Sequence, residues 1–419
     1  MQKIHIKGGR SLCGEVEIKT SKNAVLPILA ASILCDGVVK INNFPYYTDA
    51  INMVESLRML GAKVFFEEES LVMDNTNITA KEIPATIAVK TRSSIFTLGA
   101  ILGRFKKARV AYPGGCDIGA RPIDLHLKGL EKLSVKIVDK HGYITCDGKN
   151  LKGGVVNLDF PSVGATENIM LASVLAKGKT KIINPAKEPE IEDLQNFLNS
   201  AGAKIKGAGT NVITITGVDR LGSVTYTPIS DRIIAGTYML ATAICGGEVM
   251  LRKANAKHLD VLIDKITESN PRTKIISKNG NILVKSKGDF KAVGKIETMP
   301  YPGFPTDLQP QIATLLTTAK GTSLIVENLF ETRYKYTAEL SKMGANIIVK
   351  DRHAIISGVE KLYGAQVQAN DLRGGASLVL AGLMADGYTT ILNSEHISRG
   401  YEHIENDLAT LGADIQLID

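Results

Sequence analysis

The chain has 419 residues, more than one hydrophobic core usually supports, so we expect two domains. Apolar residues make up 44% of the chain and charged residues 22%, which is typical of a globular protein and excludes intrinsic disorder. The formal charge of +7 is spread over scattered lysines and arginines, so we expect no nucleic-acid partner and favour small anionic ligands.

The N-terminal segment MQKIHIKGGR alternates polar and apolar residues as a strand does, and it lacks the apolar stretch of a signal peptide. No apolar run has the length needed to span a bilayer. Five cysteines lie far apart without a CxxC pair, which indicates neither a disulfide framework nor a zinc site. We therefore expect a cytoplasmic protein with no membrane partner, no metal and no cofactor.

One pattern returns about every 70 residues along the chain. Its first half is an apolar helix, a turn and a β-branched strand; in chain order the copies are PILAASILCDGVVKINN, FTLGAILGRFKKARVAYP, IMLASVLAKGKTKIINP, YMLATAICGGEVMLRKAN, ATLLTTAKGTSLIVEN and LVLAGLMADGYTTILNS. Its second half is an amphipathic helix that ends, typically on Gly-Ala, before another strand; the copies are SLRMLGAKVFF, LEKLSVKIVD, FLNSAGAKIKG, ITESNPRTKIIS, LSKMGANIIVK and LATLGADIQLI. LEKLSVKIVD and ITESNPRTKIIS are degenerate.

Six such repeats predict an α/β protein (α+β in some schemes) with mixed sheets, buried first helices and outer second helices. Three repeats per domain give two domains, 22–229 and 1–21 plus 230–419, with ligands expected in the cleft between them. The stretch 227–231 is the expected crossover, and the strand before residue 22 is expected to pair with the C-terminal half. A solenoid is the alternative, which the long repeat and the mixed strands disfavour.

Four residues in three segments are of types suited to chemistry on an anionic ligand. Lys22 and Asn23 precede the apolar helix predicted from Ala24, where helix amides bind anions, although a solvated lysine and an N-cap asparagine fit equally well. Cys116 lies in the glycine-rich loop AYPGGCDIGARPIDLH, where it is either a reactive thiol or an ordinary loop cysteine. Asp307 follows Pro and Thr, which by itself is typical of a helix start.

The segment PGGCDIGARPIDLH resembles the active-site loop of the UDP-N-acetylglucosamine enolpyruvyl transferases, and KTSKNAVLPILAA resembles their phosphate-site motif. Further similar segments follow in order along essentially the whole chain: KTRSSI, SVGATENIM, EPEI, DRI, PYPGFPTDLQPQ, DLRGGASLVLAG and RGYE. The resemblance implies an inside-out α/β barrel of two domains with three repeats each. It also implies transfer of the enolpyruvyl group of phosphoenolpyruvate to the 3-hydroxyl of UDP-N-acetylglucosamine, with release of phosphate, in the first committed step of peptidoglycan precursor synthesis.

The resemblance assigns a role to each matching residue. Cys116 is the general acid that also attaches covalently to phosphoenolpyruvate, Asp307 is the base, and Lys22 and Arg399 complete the catalytic set. Phosphoenolpyruvate contacts are implied for Lys22, Asn23, Arg92, Arg121, Arg373 and Arg399. Nucleotide-sugar contacts are implied for Asn23, Arg92, Arg121, Pro122, Asp124, Leu125, Ser162, Val163, Gly164, Asp307 and Leu329. Supporting roles are implied for Glu188, Asp231, Arg333 and Asp371, while His126 is interpreted as structural.

Some positions depart from the family pattern and keep alternatives open. The family usually has acidic residues at the positions of Ile234 and Ser398 and an asparagine at that of Thr332, which leaves room for a second paralogue or a modified acceptor preference. The sister enzyme acting on 3-phosphoshikimate shares the fold and the donor but lacks the cysteine loop. A noncatalytic nucleotide-sugar-binding paralogue is the other alternative, and we expect a monomer or a weak homo-oligomer.

Overall fold

The computed structural model of the protein describes residues 2–88, 92–114 and 123–418, with only the backbone of Ile87 and Arg92. Within these ranges the strands are β1 Lys3–Lys7, β2 Leu12–Glu17, β3 Val38–Ile41, β4 Lys63–Glu67, β5 Ser70–Asp74, β6 Glu82–Ile83, β7 Lys107–Ala111, β8 Lys136–Lys140, β9 Tyr143–Asp147, β10 Val155–Asn157, β11 Lys179–Ile183, β12 Lys204–Lys206, β13 Val212–Thr216, β14 Val224–Tyr226, β15 Gly247–Arg252, β16 Lys274–Lys278, β17 Asn281–Ser286, β18 Lys295–Glu297, β19 Thr322–Val326, β20 Asn346–Lys350, β21 His353–Ser357, β22 Gln366–Gln368, β23 Tyr388–Leu392 and β24 Asp414–Ile418.

The helices in the same ranges are α1 Lys22–Ser32, α2 Thr48–Leu60, α3 Ala85–Ala88, α4 Phe96–Phe105, α5 Asp124–Lys132, α6 Val163–Ser173, α7 Pro189–Ser200, α8 Arg232–Cys245, α9 Asp260–Ser269, α10 Gln309–Leu316, α11 Lys335–Lys342, α12 Leu372–Met384 and α13 Ile404–Thr410. None of these described helices has both the length and the apolar composition of a membrane span.

The described strands form six four-stranded sheets of one topology, which confirms the predicted six repeats and the α/β class. In the sheet β6-β7-β9-β8, the outer strand β6 runs parallel to β7, and β7, β9 and β8 then alternate in direction. The sheet β22-β23-β1-β24 has the same arrangement, but its third strand comes from the start of the chain. Strand β2 likewise pairs with β15, so the predicted pairing of the N-terminal segment with the C-terminal half is confirmed.

The chain divides into two compact domains. The N-domain comprises 20–88, 92–114 and 123–229, and the C-domain comprises 2–19 with 230–418. At the N-domain border the Ser21 amide donates to the Ile229 carbonyl at 2.8 Å. At the C-domain border the Asp231 amide donates to the Lys19 carbonyl, also at 2.8 Å. At each border, the two chain segments that lead from one domain to the other are therefore joined by a backbone hydrogen bond.

The apolar first helices form the core of each domain, as their composition predicts. In the C-domain α8, α10 and α12 pack against one another, and every residue of α12 from Leu372 to Leu383 is buried. In the N-domain α4 packs against both α1 and α6. Gly99 of α4 permits this approach, because a Cβ there would meet the Asn168 carbonyl oxygen at 2.3 Å.

The turns after the outer helices explain the Gly-Ala signature. Four of them contain a glycine in the left-handed region, with φ between 96° and 110°: Gly61, Gly202, Gly344 and Gly412. Such φ values cost a residue with a Cβ more than they cost glycine. In the degenerate second repeat Ser134 adopts φ 66° at the corresponding turn, so the geometry survives there without glycine.

The fourth repeat, with SNPRT in place of Gly-Ala, closes its helix by side-chain hydrogen bonds instead. Asn270, which follows α9, has φ −147° and therefore no left-handed conformation. Its side-chain oxygen accepts from the Arg272 amide at 3.0 Å, and its amide group donates to the Gly288 carbonyl at 2.6 Å. An asparagine side chain thus replaces the glycine turn.

Candidate functional site

Several predicted site residues lie outside the described residues: Cys116, Arg121 and Pro122. Arg92 begins a 3-10 turn that ends at Ile95, and only its backbone is described. The other predicted site residues lie within the described ranges.

Lys22 is the first residue of α1, two positions earlier than the predicted helix start. Its ammonium group lies 2.8 Å from the Asp49 carboxylate, with 12% of the lysine side chain and 4% of the aspartate side chain exposed. Asp49 lies in the first turn of α2, where a carboxylate also interacts favourably with the helix dipole. The sequence analysis missed Asp49, because its partner lies in another helix.

The start of α1 is braced by the segment that leads into α2. Tyr47 is fully buried, and its hydroxyl donates to the Thr20 carbonyl at 2.9 Å. The Thr20 hydroxyl in turn donates to the Asn43 carbonyl at 2.6 Å. These bonds fix the helix end at which Lys22 and the partly exposed Asn23 project.

The segment SVGAT begins α6, as the sequence predicts. The Ser162 hydroxyl accepts from the Ala165 amide at 3.3 Å, which is ordinary N-capping. In helical geometry the amides of Val163 and Gly164 have no intrahelical acceptor, so they are suited to an anionic oxygen. A Cβ at Gly164 would lie 3.0 Å from Cε1 of His126, so this helix end has little room for a larger residue.

His126 is buried within α5, next to the predicted sugar-binding residues Asp124 and Leu125. Nδ1 of His126 lies 3.0 Å from the amide nitrogen of Asn168, which also donates to the Ile95 carbonyl at 3.0 Å. Because that nitrogen is a donor, Nδ1 accepts and the neutral ring carries its proton on Nε2. The interpretation of His126 as a structural residue fits this arrangement. Asp124 is exposed, at 3.4 Å from Lys128.

Glu188 lies near two buried acidic residues of the N-domain, Glu167 and Glu190. It precedes α7, Glu190 lies in the first turn of that helix, and Glu167 lies in α6. Burial raises the pKa of Glu167 well above its ordinary value, and the carboxylates of Glu190 and Glu188 raise it further. The family resemblance implied only a supporting role for Glu188, and no local pattern indicated this grouping.

In the C-domain, Asp307 is held between two buried arginines. It lies in a 3-10 turn, Thr306–Leu308, that leads into α10. Its Oδ1 is 2.9 Å from Arg333 and its Oδ2 is 3.1 Å from Arg373, and the exposed fractions are 2% for Arg333, 3% for Arg373 and 27% for Asp307. The two guanidinium groups lie deeper than the carboxylate, which stays open to solvent.

Electrostatics keep Arg373 charged. Burial alone would lower its pKa, but Asp307, Tyr401 and Asp231 more than offset that effect, so its pKa lies above the ordinary value. Asp371 caps α12 by accepting from the amides of Arg373 and Gly374, both at 3.0 Å. Asp371 is one of the predicted supporting residues, and its cap fixes the helix end from which Arg373 projects.

Asp231 caps α8 in the same way. Its carboxylate accepts from the amides of Ile233 and Ile234 at 2.8 Å and 3.0 Å. Ile234, which departs from the family pattern, is buried at 3% exposure.

Arg399 ends the 3-10 turn Ser394–Arg399 and is partly exposed. The Ser398 hydroxyl donates to the Glu395 carbonyl at 2.9 Å within that turn.

Glu327 is a fully buried carboxylate that accepts a hydrogen bond from Thr306, the residue before Asp307. The sequence analysis also missed this residue. Its oxygens accept from the hydroxyls of Thr298 and Thr306 and from the amides of Leu329 and Phe330. Leu329 is one of the predicted sugar-binding residues. In the sequence Glu327 merely follows an apolar strand, so no signal marked it.

Among the described residues, no group of three or more His, Cys, Asp or Glu side chains is arranged to hold a metal ion. In each domain the described residues include cations, helix N-termini and carboxylates. This is a set of groups that binds anionic substrates and accepts protons.

Comparison with known proteins gives consistent results. Residues 6–408 match the model of the family described as EPSP synthase (3-phosphoshikimate 1-carboxyvinyltransferase). The chain is 53% identical over 99% of both chains to UDP-N-acetylglucosamine 1-carboxyvinyltransferase 2 of Caldanaerobacter subterraneus subsp. tengcongensis. It is 50% identical over the whole of both chains to the protein of the same name from Carboxydothermus hydrogenoformans. The solved enolpyruvyl transferase NikO from Streptomyces tendae is similar in fold, with a TM-score of 0.89, 24% identity and coverage of 100% of this chain and 99% of its own.

Proposed function

The chain belongs to the UDP-N-acetylglucosamine 1-carboxyvinyltransferases of the enolpyruvyl transferase family, and we propose that it transfers the enolpyruvyl group of phosphoenolpyruvate to the 3-hydroxyl of UDP-N-acetylglucosamine. Inorganic phosphate leaves, and the product is the first committed precursor of peptidoglycan. The observation that carries the proposal is 53% identity over essentially the full length of a relative with that name.

The reaction needs a base for the sugar hydroxyl, a proton donor for the methylene carbon and cations for the donor's carboxylate and phosphate. Asp307 is the proposed base: each oxygen contacts one arginine, yet the carboxylate is 27% exposed and open to a hydroxyl. Arg373 binds the anionic donor, and Arg333 orients Asp307. Leu329, near the same loop, contacts the nucleotide sugar.

In the N-domain, Lys22 and Asn23 bind the phosphate-bearing donor and intermediate at the start of α1. The Lys22–Asp49 pair supports this role, since Asp49 holds the ammonium group at the helix end where anions bind. Ser162, Val163 and Gly164 bind the diphosphate of the nucleotide sugar through amides at the start of α6. Asp124 and Leu125 contact the nucleotide, and Glu188 supports this region.

The other proposed roles rest on the family resemblance. Cys116 is the general acid and the site of covalent attachment, and Arg92, Arg121 and Arg399 neutralise the donor's charges. Pro122 contacts the nucleotide sugar, and Asp231 and Asp371 support the C-domain arginines through the helix caps described above. The enzyme acts in the cytoplasm without nucleic acid or cofactor, as a monomer or weak homo-oligomer.

The direct test is to incubate the purified protein with phosphoenolpyruvate and UDP-N-acetylglucosamine and to measure inorganic phosphate. We expect release that requires both substrates. A parallel reaction with 3-phosphoshikimate in place of the nucleotide sugar should release none. Release only with 3-phosphoshikimate would identify the sister activity, and nucleotide-sugar binding without release would identify a noncatalytic paralogue.

The thiol is tested by Cys116→Ser. We expect turnover to fall by about 10²-fold or more, as loss of a general acid does, with calorimetric binding of the nucleotide sugar nearly intact. Wild-type turnover in this variant would contradict the role, and lost binding would indicate structural damage. Fosfomycin, an epoxide that alkylates the family's cysteine, should add to the wild-type protein but not to the variant, as measured by intact mass.

A further inference from the structure

Glu327 is a buried carboxylate whose four donors come from three separate segments of the C-domain. It follows β19 and is 0% exposed. Its Oε1 accepts from the Thr298 hydroxyl at 2.9 Å and from the amides of Leu329 and Phe330 at 2.9 Å and 3.1 Å. Its Oε2 accepts from the Thr306 hydroxyl at 2.9 Å. Burying a carboxylate is costly, and these four hydrogen bonds are what offset that cost.

The hydrogen-bond donors to Glu327 include or adjoin residues that the proposed function uses in the C-domain. Thr306 immediately precedes Asp307, and its carbonyl accepts from Arg333 at 3.0 Å. Leu329 is the proposed sugar contact, and its amide is held by the other carboxylate oxygen of Glu327. One side chain therefore fixes the loop of the proposed base and the segment of a proposed substrate contact relative to each other.

We infer that Glu327 is a positioning residue, which acts through Thr306 on Asp307 and through its own turn on Leu329. This inference rests on the proposed function. Glu327 itself touches no substrate, because it is fully buried behind these segments. A displacement of a catalytic group by about 1 Å can cost about 10²-fold in rate, so loss of this anchor should lower turnover strongly.

Because Glu327 acts through hydrogen bonds, its replacement by an amide and its replacement by an apolar side chain should have different effects. In Glu327→Gln, the side-chain oxygen still accepts from the Leu329 and Phe330 amides, while the new NH2 donates to the Thr306 hydroxyl, which turns from donor to acceptor. Glu327→Met has a similar length and no such groups. Turnover should therefore fall about 10²-fold in the Met variant and remain within about fivefold of wild type in the Gln variant.

The assay is phosphate release, with kcat counted per binding-competent molecule from calorimetric titration with UDP-N-acetylglucosamine. We expect the Met variant to lose kcat and to raise the KM for the nucleotide sugar, with the KM for phosphoenolpyruvate changed by less than about threefold. A purely structural role would lower only the competent fraction, so wild-type kcat per competent molecule in the Met variant would overturn the inference. A Gln variant as impaired as the Met variant would also overturn it, since charge would then matter.

If the Met variant fails to fold, Thr306→Val and its control Thr298→Val test the same inference. Each removes one hydroxyl bonded to Glu327, but only Thr306 adjoins Asp307. The Thr298 hydroxyl also accepts from the Asn328 amide at 2.9 Å, so Thr298→Val breaks one hydrogen bond more. We expect a loss of kcat of about tenfold in Thr306→Val and a smaller loss in Thr298→Val. The reverse order would refute the inference.

A second readout separates this inference from the proposed function. Hydrogen exchange at the Leu329 and Phe330 amides, followed by mass spectrometry, should accelerate in Glu327→Met or, if that variant is unfolded, in Glu327→Ala relative to Glu327→Gln. If the wild-type protein releases no phosphate, the proposed function fails, whereas equal exchange in all variants would refute the anchoring itself.

Discussion

The buried carboxyl of Glu167 allows a quantitative test of the N-domain electrostatics. Glu167 is 1% exposed in α6, with Glu188 and Glu190 at the start of α7. Burial raises its pKa well above the ordinary value of 4.5, and the two neighbouring carboxylates raise it further. In the folded protein the group therefore keeps its proton at pH values at which the unfolded chain has already lost it. Glu167→Gln replaces it with a neutral group of the same shape.

The sign and size of the effect follow from proton linkage. Above the unfolded-state value of 4.5 the folded protein binds more protons than the unfolded chain, so the stability contributed by Glu167 is present at lower pH and lost as the pH rises. The slope is about 1.4 kcal/mol of unfolding free energy per pH unit, up to the folded-state pKa. The Gln variant lacks this slope, so its advantage over wild type should grow with pH over the range from the unfolded-state value of 4.5 up to the folded-state pKa.

The assay is urea unfolding at several pH values, followed by far-ultraviolet circular dichroism and by tyrosine fluorescence, since the chain has no tryptophan. The control is Glu192→Gln, which makes the same chemical change at an exposed position of α7. A slope shared by both variants would belong to general charge rather than to burial. A constant difference between Glu167→Gln and wild type across this range would refute the reasoning.

Two further predictions concern the site. Asp307→Asn should lower kcat by about 10²- to 10⁴-fold, because an amide cannot take the hydroxyl proton, while calorimetry should still detect nucleotide-sugar binding; near-normal turnover would rule out Asp307 as the base. Gly164→Ala should weaken nucleotide-sugar binding by about tenfold, because the added Cβ lies 3.0 Å from the His126 ring, so that either this ring or the start of α6 must give way; Gly222→Ala, with open space around its Cβ, is the control, and equal affinities would contradict the proposed contact.

Apart from the pairing of the N-terminal strands with the C-terminal half, the features that the sequence predicted are local ones. The Gly-Ala turns, the apolar helices and the Ser162 cap each depend on residues within a few positions of one another, so periodicity and turn chemistry reveal them. The start of α1 at Lys22 rather than Ala24 is the usual uncertainty at a helix end.

The features that sequence reasoning missed are contacts between distant positions. Asp49 pairs with Lys22 in another helix, and Glu327 accepts from Thr298, which lies in a different segment. From the sequence alone, an acidic residue is expected at the surface. Burial of its carboxylate becomes favourable only when tertiary structure supplies hydrogen-bond donors for it. For the same reason the grouping of Glu167 with its acidic neighbours had no local signature.

The placement of β1 and β2 constrains the order in which the protein can fold during synthesis. The described parts of the N-domain all lie between residues 20 and 229, so its sheets can assemble while later codons are still being translated. Strand β1, made at the outset, needs β23 and β24 from the far end of the chain. Until β23 and β24 emerge from the ribosome, β1 therefore lacks its native neighbours in the sheet. During that time its backbone hydrogen-bonding groups are accessible to chaperones or to non-native strands.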